Sequence, residues 1–148
     1  MANFVANIAK GKIAYYAGLP GSSDGLEAIP LEASGIQTDD QLKDHDTVAA
    51  VLAASNNEQS TMGRQDLTGV SVTVDDTNNR VDISADDIVW TGATGSEVAK
   101  LLICYVPNTS TSGDSDKIPL TFHDFSVEPD GSDITATIDN GVFARSED

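Results

Sequence analysis

Gly21-Ser22-Ser23-Asp24-Gly25 has the Gly-x-Ser-x-Gly spacing that, in hydrolases, lifts a serine out of a sharp turn toward a base. That elbow needs a strand before it, a helix after it and a parallel sheet beneath. Here Pro20 precedes the motif and a short strand-like run follows, so the spacing predicts a loop around Ser23. His45 lies between Asp44 and Asp46, and His123 precedes Asp124. A carboxylate can orient an imidazole, but sequence neighbours on a strand or helix point different ways. Two histidines and the single Cys104 give no zinc spacing. Cys104 sits inside the most apolar run, where a small buried hydrophobe belongs. Asp75-Asp76-Thr77-Asn78-Asn79 invites a calcium reading, yet an EF-hand counted from Asp75 would need Gly and Glu where Arg80 and Asp86 stand. Asp75/Asp76, Asp86/Asp87 and Asp114/Asp116 could hold a divalent ion only opportunistically, and solvated turns are the ordinary reading. No phosphate-cradling Gly-x-x-x-x-Gly-Lys-Ser/Thr occurs. The sequence thus assigns no catalytic residue, no cofactor and no metal ligand, and reads as a non-enzyme.

The elements that carry these residues are mostly strands. Val70 to Val74 and Val81 to Ser84 alternate apolar and polar residues, with Asp75 to Asn79 as the turn between them, which predicts a hairpin. Val98 to Val106, closed by Pro107, predicts a central strand. Ile118 to Phe122 with Phe125 to Val127 reads as one bent strand, and Ile134 to Ile138 alternates behind a strong turn. Leu26, Ala28 and Ile29 before Pro30 predict a short edge strand. Thr38-Asp39-Asp40-Gln41 has the form of a capping box, and Val48, Val51 and Leu52 share a helical face that Asp46 can cap. In the opening segment, Phe4 and Ile8 fit a helix face, Ile13 and Tyr15 alternate like a strand, and Gly11 suggests a break. Asn108 to Lys117 predicts a flexible surface loop. The expectation is a mainly β chain, sandwich or barrel-like, with one or two short helices: residues 1–20 form an N-terminal arm or first strand, and residues 21–148 one β-rich domain.

Composition narrows the partners. The 148 residues carry a formal charge of −16, which opposes nucleic acid and anionic membrane surfaces. No apolar run approaches the ~20 residues of a membrane helix, and no signal peptide is recognisable. Residues 1–64 hold 8 acids and 4 bases, whereas residues 65–148 hold 16 and 4. No acid precedes Asp24, so Lys10 and Lys12 make the opening locally basic.

Three stretches resemble small structural proteins encoded in the head and tail gene modules of tailed bacteriophages. They are Phe4 to Leu31, with its Ala-Lys-Gly-Lys and Ile29-Pro30-Leu31; Val74 to Ile83 leading into Trp90-Thr91-Gly92-Ala93; and Lys100 to Tyr105 followed by Ile118 to Phe125 and Pro129 to Thr135. These are packing and turn motifs, so no functional residue carries over. The resemblance implies a non-enzymatic virion component assembled in the host cytoplasm. Within that class a decoration protein on the outside of the head suits a strongly acidic β body. It would form homo-oligomers and contact the major capsid protein or other virion proteins. A tail or head–tail connector component is the alternative. A carbohydrate-binding module, built on Trp90 and the three tyrosines, is the reading from another class. The expected partner-binding segment is the N-terminal one, with Phe4, Val5, Ile8, Tyr15 and Tyr16 as apolar contacts and Lys10 and Lys12 as charge. The competing expectation makes these residues an ordinary first strand of the core.

Overall fold

The computed structural model describes residues 3–147; Met1, Ala2 and Asp148, the ends of the expected arm and domain, lie outside the described residues. A five-stranded antiparallel sheet organises the chain, built from β1 (Phe4–Val5), β8 (Ile118–Val127), β7 (Val98–Val106), β2 (Gly25–Glu32) and β3 (Gln65–Asp66), in that spatial order. The nine-residue apolar run is its central strand, as expected. Both faces of β7 are buried, which is why it reads as a continuous apolar run rather than an alternating one.

Two clusters cover those faces. On one, Leu26, Ala28, Leu101, Ile103 and Leu120 meet residues of two smaller sheets. The first of these is β10 (Val142–Glu147), β5 (Arg80–Ser84) and β4 (Ser71–Asp75); the second is β6 (Ile88–Trp90) with β9 (Ile134–Ala136). On the other face, Ile29, Leu31, Leu102, Cys104 and Phe122 meet Leu42, Val48 and Val51 from two short helices, α2 (Asp39–Leu42) and α3 (Val48–Ala53). The result is sandwich-like on one side and helix-covered on the other, with no sheet among the described residues closed into a barrel.

A β-bulge feeds both clusters from one strand. Ile103 pairs with Thr121 and Cys104 with Pro119, so Leu120 is the extra residue. Without the bulge, Leu120 and Phe122 would share a face. With it, Leu120 enters the first cluster and Phe122 the second.

Several local expectations need correction. Among the described residues three short α-helices form, where one or two were expected. The additional one, α1 (Ile13–Gly18), lies where alternation suggested a strand, while Phe4 lies in a strand where a helix face was read. Ile13 and Ala17, four apart, are the residues α1 buries, and Gly11, at a φ of 72°, separates it from the preceding 3-10 turn. The Thr38/Gln41 capping box is present. Thr47 rather than Asp46 caps α3, its Oγ1 accepting the Ala50 N–H at 3.1 Å. β2 is an inner strand of eight residues, not a short edge. β3 pairs with it only at Glu27 and Ala28, and Pro30 takes part through its carbonyl, which accepts the Gln59 N–H at 2.9 Å beside an isolated bridge of Leu31 with Glu58. The loop before β8 is anchored: the Ala49 N–H donates to the Asp114 carbonyl, and Val48 N–H to that of Lys117.

Candidate functional site

Several residues singled out for possible chemistry make contacts within the fold. The Ser23 loop follows a helix and precedes a strand, the reverse of a nucleophile elbow, and the Ser23 carbonyl accepts the Thr109 N–H at 2.7 Å. His45 Nε2 lies 2.7 Å from Gln37 Oε1. His123 Nε2 lies 2.8 Å from Thr121 Oγ1, and its ring meets Phe143 edge-on. Burial, with the Lys100 cation adding to it, lowers the His123 pKa to about 4, so this imidazole is neutral near pH 7. Burial likewise pushes the Cys104 thiol well above its ordinary value, away from nucleophilic use. Several carboxylates of the considered cation sites are engaged within the fold. Asp75 accepts the Thr77 and Asn78 N–H groups, Asp86 the Thr68 hydroxyl, Asp87 the Ile138 N–H and Asp116 the Gly113 N–H. Trp90, one of the aromatics of the carbohydrate reading, is buried, its indole N–H donating to the Gly63 carbonyl at 2.8 Å.

Most cations are closed into ion pairs. Arg64 makes bidentate contacts with Glu58 (2.6 Å twice) and with Asp114 (2.7 and 3.0 Å). Glu27 joins this group, accepting from Lys117 at 2.8 Å. Arg64 in turn holds the Asp114 carboxyl below its usual range. Lys100 is fully buried, with its ammonium 2.6 Å from Asp124, 3.1 Å from Asp39 and 5.1 Å from the centre of the Phe4 ring. Lys43 pairs with Asp40, and Arg80 and Arg145 both reach Asp82. Among the described residues, that leaves Lys10 and Lys12, both exposed, as the two cations that pair with no acid.

The expected binding segment therefore divides. Phe4 and Val5 are half-buried in β1, Phe4 stacking on Phe122 with ring centres 5.0 Å apart. Ile8 is half-buried, and Ala6 and Ala9 beside it are fully so. These residues work largely as core, the competing expectation of the sequence. Lys10, Lys12 and Tyr15 face outward instead, with Tyr15 63% exposed. Leu19, one helical turn from Tyr15, is also exposed. Sequence reasoning missed Leu19, although its spacing from Tyr15 was the available signal. Tyr16 lies 5.4 Å from both the Tyr15 and Tyr105 ring centres, and the Tyr105 hydroxyl donates to Asp24 at 2.8 Å. Chemically, this is an aromatic island beside two uncompensated positive charges, on a body that is otherwise acidic.

A cleft of about 370 Å³ lies elsewhere, walled by His123, Phe125, Ile138 and Phe143. Within it, His123 is held by Thr121 Oγ1 and by the Phe143 ring. Among the described residues, no helix is long and apolar enough to cross a membrane. No family model, curated protein or solved structure matches the chain.

Proposed function

We propose that the protein is a non-enzymatic structural component of a tailed-phage virion, a decoration protein that attaches to the outside of the head through the exposed side of α1 and the Lys10–Lys12 loop before it. The virion context rests on the three resembling stretches. The attachment surface rests on one observation: the two cations paired with no acid among the described residues lie together, beside the exposed Tyr15 and Leu19. An acidic protein approaching another acidic surface gains most by leading with its unpaired positive charge, and an aromatic side chain then supplies buried contact.

The test is co-sedimentation with phage heads assembled without this protein. The full chain is expected to pellet with heads, and Lys10→Glu with Lys12→Glu to lose most of that binding at low salt. Unchanged binding of the double variant would overturn the attachment surface. Copy number per virion separates the head reading from the connector alternative: on the order of hundreds for a shell protein, about a dozen for a symmetric connector.

The tyrosine row gives the carbohydrate-binding reading one supporting observation, since Tyr16 meets Tyr15 edge-on and Tyr105 at a tilt, beside the Asp24 carboxylate. Retention on immobilised polysaccharide, lost in Tyr15→Ser, would favour it over head attachment.

A further inference from the structure

Sheet edges expose unpaired N–H and C=O groups, and folded chains blunt them with short strands, bulges, prolines or charges. Most edges among the described residues are blunted in this way. β1 and β3 are two residues long, and β6 and β9 three. β10 has six residues but is bulged between Val142 and Ala144 and carries Arg145 and Glu147. β4 is the exception. It pairs with β5 over five residues with no register shift, and nothing in its Ser71-Val72-Thr73-Val74-Asp75 sequence blunts it before the final Asp75. Its Val74 is 66% exposed, the highest of the exposed large apolar side chains.

We infer that β4 is an interface for a second copy of this chain, the two β4 strands pairing antiparallel about a two-fold axis at Thr73. The strand is self-complementary in that register. Val72 would lie opposite Val74 of the second copy and Val74 opposite its Val72, while each Asp75 would face a Ser71. The two β4 carboxylates therefore sit at opposite ends of the ladder, which matters because like charges placed opposite each other destabilise a sheet. Few stretches of a chain with a net charge of −16 could meet their own copy with so little repulsion. Val72 and Val74 lie on the same face, opposite Ile83 and Val81 of β5. The pairing therefore joins two three-stranded sheets into one with a continuous face, covers Val74, and makes the contact isologous and closed.

α1 packs against that face, the Gly18 position approaching Val72 Cγ2. A two-fold axis perpendicular to the sheet then carries both copies of α1 to one side. If the attachment reading above holds, the dimer presents two Lys10–Lys12 islands in parallel, so a weak single contact would be strengthened by avidity.

Solution mass tests the interface without any phage head. Sedimentation equilibrium of the full chain is expected to give a concentration-dependent rise from 15.5 kDa to twice that value, and Val74→Lys to remain at the monomer mass with an unchanged circular dichroism spectrum and melting temperature. Thr73→Cys is the register test. Residues on the axis would face each other with Cα atoms about 4.5–5.5 Å apart, within disulfide range, so mild oxidation should cross-link this variant and not Ser71→Cys, whose two copies lie four residues apart along the ladder. Cys104 is buried and stays silent. A monomer at all concentrations, a trimer, or a dimer that Val74→Lys leaves intact would each overturn the inference. Loss of the dimer in Val74→Lys says nothing against head attachment, which Lys10→Glu with Lys12→Glu tests separately.

Discussion

Lys100 and the Lys10–Lys12 pair are the same side chain put to opposite uses. Lys100 is fully buried beneath α2 and β1 and meets two carboxylates and an aromatic ring. Lys10 and Lys12 stand in water and meet no acid among the described residues. The difference follows from what surrounds each position. At Lys100 the strand register leaves no choice: it lies opposite Asp124 in the β7–β8 ladder, on the face that α2 covers, so its ammonium must find acids or remain an uncompensated buried charge. At Lys10 and Lys12 no acid precedes Asp24, and the loop turns its charge away from the body. A closed cation holds elements together, whereas an open one is available to something else.

The largest expected effect lies on the closed side. Lys100→Ala should destabilise the fold by roughly 3 kcal/mol, because it leaves Asp39 and Asp124 close together without their shared cation and opens a cavity beside Phe4. Both carboxylates keep some solvent exposure, which places the cost at the lower end for a broken buried pair. Lys100→Met, which keeps the packing stem, should recover part of the loss. Urea unfolding measures both. A Lys100→Ala midpoint equal to that of the unsubstituted protein would mean that this cation holds nothing.

How much of this was legible in the sequence depends on how local the cause is. The central strand and the β4–β5 hairpin were readable because apolar runs, alternation and an Asx-rich turn are properties of adjacent residues. The Thr38–Gln41 capping box was readable for the same reason. The Arg64 cluster was not, because it joins Glu27 of β2, Glu58 of the segment that bridges β2 at Leu31, and Asp114 of the loop before β8, which are far apart in the chain. The bulge at Leu120 was equally hidden, since one extra residue in a ladder shows only against its partner strand. The N-terminal segment was half legible: its composition marked Lys10 and Lys12 as unusual, but not that Phe4 stacks on Phe122, 118 residues away. Deleting residues 2–12 would remove that stack with β1, so loss of the fold is the expected result and the truncation cannot isolate a binding function.

A pH titration gives an intermediate effect and again separates the two sides. His123 on β8 is neutral in the fold, with a pKa of about 4 against 6.5 for a free imidazole, because burial and the nearby Lys100 cation oppose its charging. Its folded pKa is depressed, so the unfolded chain binds more protons between these values and stability falls as pH drops from 6.5 toward 4. The full shift corresponds to roughly 3 kcal/mol at most, with carboxylates adding their own loss at the acidic end. His123→Gln should flatten the slope between pH 6.5 and 5. If the variant and the parent lose stability in parallel over that range, His123 is not the group responsible. No histidine lies in the Lys10–Lys12 loop, so this slope reports on the closed side.

The smallest effect is the most informative about what the open side is for. Lys10→Glu with Lys12→Glu breaks no ion pair, empties no cavity and disturbs no strand, so it should change unfolding free energy by no more than about 0.5 kcal/mol, as for surface substitutions generally. The residual sign should be unfavourable, since four further negative increments on an acidic body add self-repulsion that salt screens. Melting temperatures at low and high salt measure this, and the gap between variant and parent should close as salt rises. A loss comparable to that of Lys100→Ala would show that these lysines have structural acid partners after all, and the attachment surface would have to be sought elsewhere. A fold left intact, together with lost binding to phage heads, would instead assign their charge to the partner, because no other consequence of the substitution remains to explain it.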